Sequence, residues 1–400
     1  MRRSKLVSAV LVAVAMAGAA VVAPRAQRGQ QPDRRVRVEP GQACPQGMTE
    51  VRRDSCQPPE MPPPSIVDYR PKSTVVAVDH LVPKAKFPFV DIHSHQGVTA
   101  ANIEQLIKEM DAMNLRVMVN LSGGSGDRLK QNVAFIRSSP HKDRFRVFAN
   151  VNFNGAGSPG WKEKAAAELE TAIKDGAIGF KIFKNLGLSS MKADGSRLAI
   201  DDPELDPLFE VCARLNVPVL IHTADPAQFF EEIDFSNERW LELALFPGRQ
   251  YPSSKFPSFE TLAGERDRLF ARHPKTRFIA AHFGWHGNDL GRAAKMLDSM
   301  PNVYFEVGAV LYEFGRQPRA AREFFTKYQD RILFGKDAYE PSEYPYYFRV
   351  FETGDEYFDY YRNYHAFWKL YGMSLPDAVL RKLYNENALK VAPGLPPIAR

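Results

Sequence analysis

Short apolar runs alternate with amphipathic segments along most of the chain, from about residue 87 to residue 395. The runs have the hydrophobicity of buried strands, whereas the segments between them place apolar residues at the spacing of a helix face. We predict strands at 87–95, 115–121, 145–153, 177–183, 217–222, 277–282, 303–307 and 332–335. We predict helices at 101–113, 127–136, 161–174, 207–215, 259–272, 290–297, 320–328 and 376–391. A β-branched run at 73–82 is predicted to be a further strand that leads into this domain.

The regular alternation of strands and helices predicts an α/β fold with a parallel sheet. Eight such units over roughly 300 residues suit a closed (β/α)8 barrel, the TIM barrel, with its helices outside. An open doubly wound sheet is the alternative. No Gly-x-Gly-x-x-Gly turn follows the first strand, so the most frequent ligand signature of that alternative is missing.

The N-terminal 26 residues have the form of a secretory signal peptide. A basic start precedes an Ala- and Val-rich run at 6–23, and small residues follow near a cleavage point. We expect cleavage and a periplasmic or secreted protein; an uncleaved membrane anchor is the alternative, because the run is near the minimum length for a span. Residues 27–72, rich in Pro, Arg and Gln, are predicted to be an extended or disordered linker, which leaves 73–395 as the barrel domain.

The net charge of +6 lies outside the predicted barrel. Residues 1–75 hold 12 Lys and Arg against 6 Asp and Glu, whereas residues 76–400 hold 41 of each kind. A domain with balanced charge lacks the basic footprint of a nucleic-acid-binding protein. We therefore expect a small-molecule substrate, no nucleic-acid partner, and membrane contact only if the leader stays attached. Whether the chain forms a homo-oligomer is left open.

The three cysteines fall into two settings. Cys44 and Cys56 lie 12 residues apart in a segment too polar and proline-rich to build a core, and export would place them in an oxidising compartment. We therefore predict a disulfide between them. Cys212 lies in an apolar helical stretch and is predicted to be a buried thiol.

Polar side chains that bind metals stand at the ends of several predicted strands. In a (β/α)8 barrel the chemistry lies at the C-terminal ends of the strands, where such side chains converge. Only nine histidines occur in the chain, so their concentration at strand ends is informative. The residues at these ends are His93, His95, His222, His282 and Asp337.

The fourth predicted strand carries a further candidate site residue, Lys181. Strict alternation along this strand predicts that Lys181 faces the barrel axis while Ile178, Phe180 and Ile182 face the helices. Glu306 ends strand 7 and is expected either to support the metal ligands or to form a structural ion pair. His286, on the loop after strand 6, is expected to be solvated; contact with the substrate is the alternative.

Together these residues resemble the amidohydrolase superfamily, specifically its amidohydrolase-related branch, which also contains aminocarboxymuconate semialdehyde decarboxylase. The resemblance rests on His93-x-His95, His222, His282 and the Phe-Gly-Lys-Asp-Ala ending at 334–338, and it covers about residues 75–395. It implies a divalent metal held by His93, His95, His222 and Asp337. It also implies that His282 is the catalytic or substrate-polarising imidazole.

The resemblance leaves the number of metal ions open. In the binuclear members of the superfamily a lysine on strand 4 becomes carboxylated and bridges two metals, and Lys181 can do this or bind a substrate carboxylate as a cation. The single-metal branch usually lacks that lysine, so we expect one ion per chain. Three imidazoles and a carboxylate favour zinc, with manganese as the alternative.

Metal-activated water is the chemistry that this set of ligands supports best. We expect an exported hydrolase that cleaves a C–N or C–O bond of a small organic molecule, with Asp337 moving the proton of water and His282 stabilising charge on the substrate. A non-oxidative decarboxylase of an aromatic or unsaturated acid uses the same ligands and is the alternative. A catalytically silent or metal-free binding barrel is a third reading. Two long loops, 223–257 and the aromatic 338–371, are expected to form the walls of the pocket.

Overall fold

The computed structural model describes two units, divided between residues 70 and 71, within the ranges 35–58, 71–78, 80–234, 236–362 and 364–398. The predicted signal peptide, residues 1–26, lies outside these ranges. Among the helices in the described ranges, none combines the length and the apolar character that a membrane span requires.

The first unit contains a small antiparallel sheet. Its strands are β1 (Val36–Arg37), β2 (Thr49–Arg52) and β3 (Ser55–Gln57), in the order β1-β3-β2. The predicted disulfide between Cys44 and Cys56 is present. Residues 36–57 therefore differ from the extended or disordered linker predicted for 27–72. The disulfide accounts for the difference. It lowers the conformational entropy of the unfolded chain, and this stabilises a folded segment that has too little apolar surface to form a core.

The described part of the second unit contains eight parallel strands. They are β4 (Phe89–Ser94), β5 (Leu115–Asn120), β6 (Phe145–Val147), β7 (Phe180–Ile182), β8 (Val219–Ile221), β9 (Phe278–Ala280), β10 (Val303–Glu306) and β11 (Ile332–Leu333). Neighbours in sequence pair in parallel from β4 to β6 and from β7 to β11. Bridges from Ala149 to Phe180 and from Ser94 to Asp337 join the two sheets at both seams. The fold is therefore the predicted (β/α)8 barrel.

The helices follow the strands as predicted, with short additions in the loops. They are α1 (Ile103–Met113), α2 (Gly126–Ser138), α3 (Trp161–Asp175), α4 (Asn185–Leu188), α5 (Asp206–Arg214), α6 (Trp240–Leu245), α7 (Phe259–Arg272), α8 (Leu290–Ser299), α9 (Leu311–Gly315), α10 (Pro318–Lys327), α11 (Tyr344–Glu352), α12 (Asp377–Arg381) and α13 (Asn387–Val391). A π-helical turn, Lys382–Glu386, joins α12 to α13. Short 3-10 turns occur at Pro203–Leu205, Ala227–Phe230, Pro247–Arg249, Ala281–Trp285 and Pro341–Glu343.

Alternate residues of the strands divide between two apolar clusters. Val90, Leu220 and Leu333 belong to the cluster inside the barrel. Phe180 and Val219 belong to the cluster between the strands and the helices. Ile178 lies in the inner cluster rather than against the helices, because it precedes the regular strand β7, outside which strict alternation does not hold.

The strand predicted at 73–82 is another prediction that the structure contradicts. The described residues of that segment form no strand, and Val76 is 98% exposed. Its β-branched composition favours extended backbone, but no neighbouring strand pairs with it, and strand preference depends on such packing. The barrel therefore begins at β4.

Candidate metal centre

His93, His95 and Asp337 meet where the first and last strands of the barrel lie side by side. The two histidines come from the end of β4, and Asp337 follows β11 and is bridged to Ser94. The backbone N–H of Asp337 donates to the carbonyl of His93 at 2.6 Å. As a result, Asp337 Oδ1 lies 3.4 Å from the Nε2 atoms of both His93 and His95.

The hydrogen bonds at the other ring nitrogens leave these Nε2 atoms available as ligands. His93 Nδ1 donates to the buried carboxylate of Glu306 at 3.0 Å, which fixes the tautomer with a lone pair at Nε2. His95 Nδ1 lies 2.8 Å from Ser122 Oγ, and a neutral ring that donates there likewise presents a lone pair at Nε2. His93 Nε2 is buried and has no hydrogen-bond partner among the described residues. Lone pairs that converge in this way fit a cation.

The charge of Asp337 fits the same role. Burial alone would raise the pKa of this carboxyl, but the imidazoles of His93, His282, His95 and His222 together lower it below its usual range. Asp337 is therefore ionised. Its φ of +79° is a left-handed conformation that costs free energy in a non-glycine residue, and the barrel holds it there.

Glu306 occupies the base of the centre and acts through hydrogen bonds. Its side chain is completely buried, and burial raises the pKa of the carboxyl. Oε1 accepts from His93 Nδ1 and, at 2.5 Å, from the backbone N–H of His282; Oε2 accepts from the N–H of Gly308 at 2.6 Å. His93, His282 and Glu306 also lie close enough to hold an ion, but these hydrogen bonds already explain their approach. The geometry matches a carboxylate that orients a metal-binding histidine.

His222 lies beside His282 rather than within the group formed by His93, His95 and Asp337. His282 Nε2 is 3.3 Å from His222 Nδ1, and His282 Nδ1 donates to the carbonyl of Gly308 at 2.8 Å. With the proton of His282 on Nδ1, His282 Nε2 accepts from the Nδ1–H of His222, which leaves a lone pair at His222 Nε2. That atom is buried and lacks a hydrogen-bond partner in the described chain. His222 Nε2 is 3.5 Å from Asp225 Oδ1. His222 Nε2 is thus available as a ligand atom beside the three convergent atoms of His93, His95 and Asp337.

Lys181 faces the centre, as the alternation of β7 predicts. Its side chain is 1% exposed, and its Nζ has no hydrogen-bond partner among the described residues. Burial lowers the pKa of Lys181 to about 8, while Asp337 and Glu306 oppose this shift. An amine held in this setting can approach a bound ion or a substrate.

The turn after β9 positions His282 and Trp285. His282, Phe283, Gly284 and Trp285 all have φ between +55° and +59°. The turn stacks the indole of Trp285 on the imidazole of His282, with 4.6 Å between ring centroids. Consecutive left-handed residues are unfavourable, so the surrounding contacts must hold this turn in place.

His286 lies just beyond this turn and corrects a prediction. We expected a solvated loop residue, but His286 is 2% exposed and its Nε2 accepts from Arg266 at 3.0 Å. Burial, followed by the charge of Arg266, holds the pKa of His286 well below its usual value. The turn folds the ring inward, which a loop assignment from sequence does not reveal.

A pocket of about 240 Å³ opens beside the centre. His222, His282 and Asp337 line it, together with residues of the two long loops that were predicted to form its walls. The loops contain α6 and α11, respectively. Arg239 and Arg362 also line the pocket and were not predicted as site residues, because neither stands at a strand end nor in a recognisable motif.

Comparisons with known proteins give one family and several similar folds. Residues 141–392 match the family model described as amidohydrolase. An uncharacterized TIM-barrel protein from Bordetella bronchiseptica is 14% identical over 77% of this chain and 99% of its own, with a TM-score of 0.48. A dihydroxybenzoic acid decarboxylase from Polaromonas sp. JS666, with bound manganese and 2-nitroresorcinol, is 16% identical over 77% and 97%, with a TM-score of 0.47.

The 4-oxalomesaconate hydratase from Rhodopseudomonas palustris is also similar. It is 16% identical over 77% of this chain and 96% of its own, with a TM-score of 0.44. At such identities the activity of one protein does not carry over to another.

Proposed function

Because this chain belongs to the amidohydrolase family, as its strand-end residues predicted, we propose that it is a metal-dependent hydrolase that cleaves a C–N or C–O bond of a small organic molecule. The observation that carries the proposal is the convergence of His93 Nε2, His95 Nε2 and Asp337 Oδ1, with 3.4 Å from the carboxylate oxygen to each nitrogen. His222 is the proposed fourth ligand. Nitrogen and oxygen donors of this kind favour zinc, and manganese is the alternative.

These residues would hold a divalent ion, which would supply a water whose pKa is lowered toward ~7 and would polarise a substrate oxygen. The residues of the chain supply the proton transfers. Asp337, ionised beside the ligand nitrogens, accepts a proton from the attacking water as the new C–O bond forms. The same carboxyl then gives that proton to the departing nitrogen or oxygen as the old bond breaks, so no other proton donor is needed.

His282 is proposed to contact the substrate through Nε2. Its Nδ1–H is already donated to Gly308, and Nε2 lies 3.3 Å from His222 Nδ1, so a substrate atom at Nε2 would replace that contact with His222. A neutral ring accepts at Nε2, and it can donate to a negatively charged oxygen only after it gains a second proton. The charge-stabilising role predicted for His282 therefore requires the imidazolium form.

Metal content and turnover test this function together. We would measure bound metal by plasma mass spectrometry in protein purified without chelators, and turnover on a panel of esters, lactones and amides. About one ion per chain is expected, with loss of both metal and turnover in Asp337→Asn. Asp298→Asn, which changes an exposed carboxylate on α8, is the matched control. Full turnover in Asp337→Asn would contradict the mechanism.

Decarboxylation is the second candidate, and the guanidinium groups of the pocket favour it, since its substrate must be an acid. The same ligands would hold the substrate, and the acid–base residues would protonate carbon instead of a leaving group. Release of carbon dioxide from hydroxybenzoates, without hydrolysis of the panel, would replace the first candidate with the second. We also propose that residues 1–26 are removed on export, which N-terminal sequencing of the exported protein tests.

A further inference from the structure

The pocket has a second polar end, formed by loop residues rather than by strand ends. Arg239, Arg249 and Arg362 line it with His365 and the carboxylate of Glu242. Arg239 and Arg249 both donate to Glu242, so one carboxylate serves two guanidinium groups. His365 Nε2 lies 3.7 Å from that carboxylate, beyond hydrogen-bond distance. Positive charge is therefore in excess at this end.

Arg362 is the guanidinium at this end without a direct partner, and the carboxylate of Glu343 acts on it only at longer range. Within the described residues its side chain has neither a hydrogen bond nor an ion pair, and its Cζ lies 5.5 Å from the centre of the Tyr361 ring. A half-buried guanidinium without a hydrogen-bond partner loses water contacts at a cost in free energy, because no protein acceptor replaces them directly. An anionic ligand would remove that cost.

His365 belongs to the same turn as Arg362, to whose carbonyl its backbone N–H donates at 3.1 Å. Its ring is 4% exposed and packs against Tyr312, with 4.1 Å between centroids, yet neither ring nitrogen has a hydrogen-bond partner in the described chain. Buried polar atoms are normally paired. Burial and then the charges of Arg239, Arg362 and Arg249 hold the pKa of His365 well below its usual value, so the ring is neutral and offers one N–H.

We propose that Arg362 and His365 form a binding subsite for a carboxylate group of the substrate. The guanidinium offers paired N–H groups in the geometry that a carboxylate accepts, and the imidazole adds a neutral donor beside them. The guanidinium that lacks a direct partner suits a single negative charge better than the double charge of phosphate. The pocket volume of about 240 Å³ limits the ligand to a small molecule.

The identification of this ligand as the substrate rests on the proposed function, because the same pocket reaches His282 and Asp337. An acid held at Arg362 would place the rest of the molecule toward the metal centre. The substrate class is then a small carboxylic acid whose reacting group is distinct from the carboxylate that anchors it. Binding at the subsite can be measured without any turnover.

Calorimetric titration with benzoate and with its neutral counterpart benzamide tests the subsite. Full-length, metal-loaded protein is compared with Arg362→Gln, Arg362→Lys and His365→Gln. Arg292→Gln, which removes a surface guanidinium paired with Glu260, is the matched control. We expect benzoate to bind at least ~10-fold more tightly than benzamide, a preference that Arg362→Gln abolishes, that Arg362→Lys retains in part and that the control leaves unchanged.

Three outcomes would decide against the carboxylate subsite. Equal benzoate affinity in wild-type protein and Arg362→Gln would overturn it. Benzoate binding that disappears on chelation or in Asp337→Asn, but survives Arg362→Gln, would place the carboxylate on the metal instead. Tighter binding of inorganic phosphate than of benzoate would overturn the assignment to a carboxylate. If the hydrolysis panel fails while binding still depends on Arg362, the proposed function fails and the subsite stands.

Discussion

His93 donates its Nδ1–H to the carboxylate of Glu306, and both side chains are completely buried. This hydrogen bond fixes which nitrogen of His93 faces Asp337. The ligand geometry of the centre therefore depends on a residue that is not itself positioned as a ligand.

Replacement of Glu306 should weaken metal binding without removing any ligand. The carboxylate of Glu306 now accepts three N–H groups through its two oxygens. In Glu306→Gln one oxygen becomes an NH2 group, which then faces an N–H donor instead of accepting from it. We expect a loss of metal affinity of ~10–100-fold, measured by competition with a chromogenic chelator. Glu260→Gln on the surface is the control. Unchanged affinity in Glu306→Gln would show that the tautomer of His93 is set in another way.

Removal of the metal should lower the thermal stability of the barrel. A ligand that binds only the native state adds ~2.7 kcal/mol to the free energy of unfolding when its free concentration is 100 times its Kd. For a domain of this size that corresponds to a fall in Tm of about 5 °C. Calorimetry before and after chelation, on protein whose bound metal has been verified, makes the measurement. No change in Tm would place the bound ion outside the folded centre.

The number of metal ions tests the role of Lys181. We expect one ion per chain and its retention in Lys181→Met, because the three ligand atoms that converge come from other residues. Plasma mass spectrometry gives the count, and intact-protein mass spectrometry shows whether the lysine carries a carboxyl group. Two ions in the wild type and one in Lys181→Met would make Lys181 a bridging ligand.

His286 should make the barrel less stable as the pH falls. In the unfolded chain its pKa is near 6.5, whereas in the folded chain the pKa is well below that value. Below pH 6.5 the unfolded state therefore binds more protons, and the free energy of unfolding falls. The contribution of one such group is about 2 kcal/mol between pH 6.5 and pH 5. Urea unfolding at several pH values should give a flatter dependence for His286→Gln; an equal dependence in both proteins would contradict this.

The strand-end residues could be predicted because parallel strands of a barrel end at the same edge. That rule places His93, His95 and Asp337 together without any knowledge of side-chain conformation, and the structure brings these three together. His222 shows the limit of the rule. It ends the expected strand, but the left-handed turn that carries His282 determines which ring it contacts, and that turn has no signature in the sequence.

Arg362 and His365 could not be predicted at all as site residues. They lie on an irregular loop, where neither helical nor strand periodicity indicates which side chains turn inward. The sequence indicated only that this long loop forms a pocket wall, as long barrel loops tend to do; it did not indicate which residues of the loop face the pocket. The prediction for Ile178 was wrong for a related reason, because alternation holds only within a regular strand and Ile178 precedes β7.

The bridge between Ser94 and Asp337 has a consequence for the order of folding. It joins the first strand of the barrel to the last, so the ligand group is complete only after the intervening chain has folded and the cylinder has closed. Contacts between positions so distant in sequence form late, since the entropy of closing the loop must be lost first. An ion bound at this seam would then act mainly after the transition state, slowing the opening of the barrel far more than it speeds its formation.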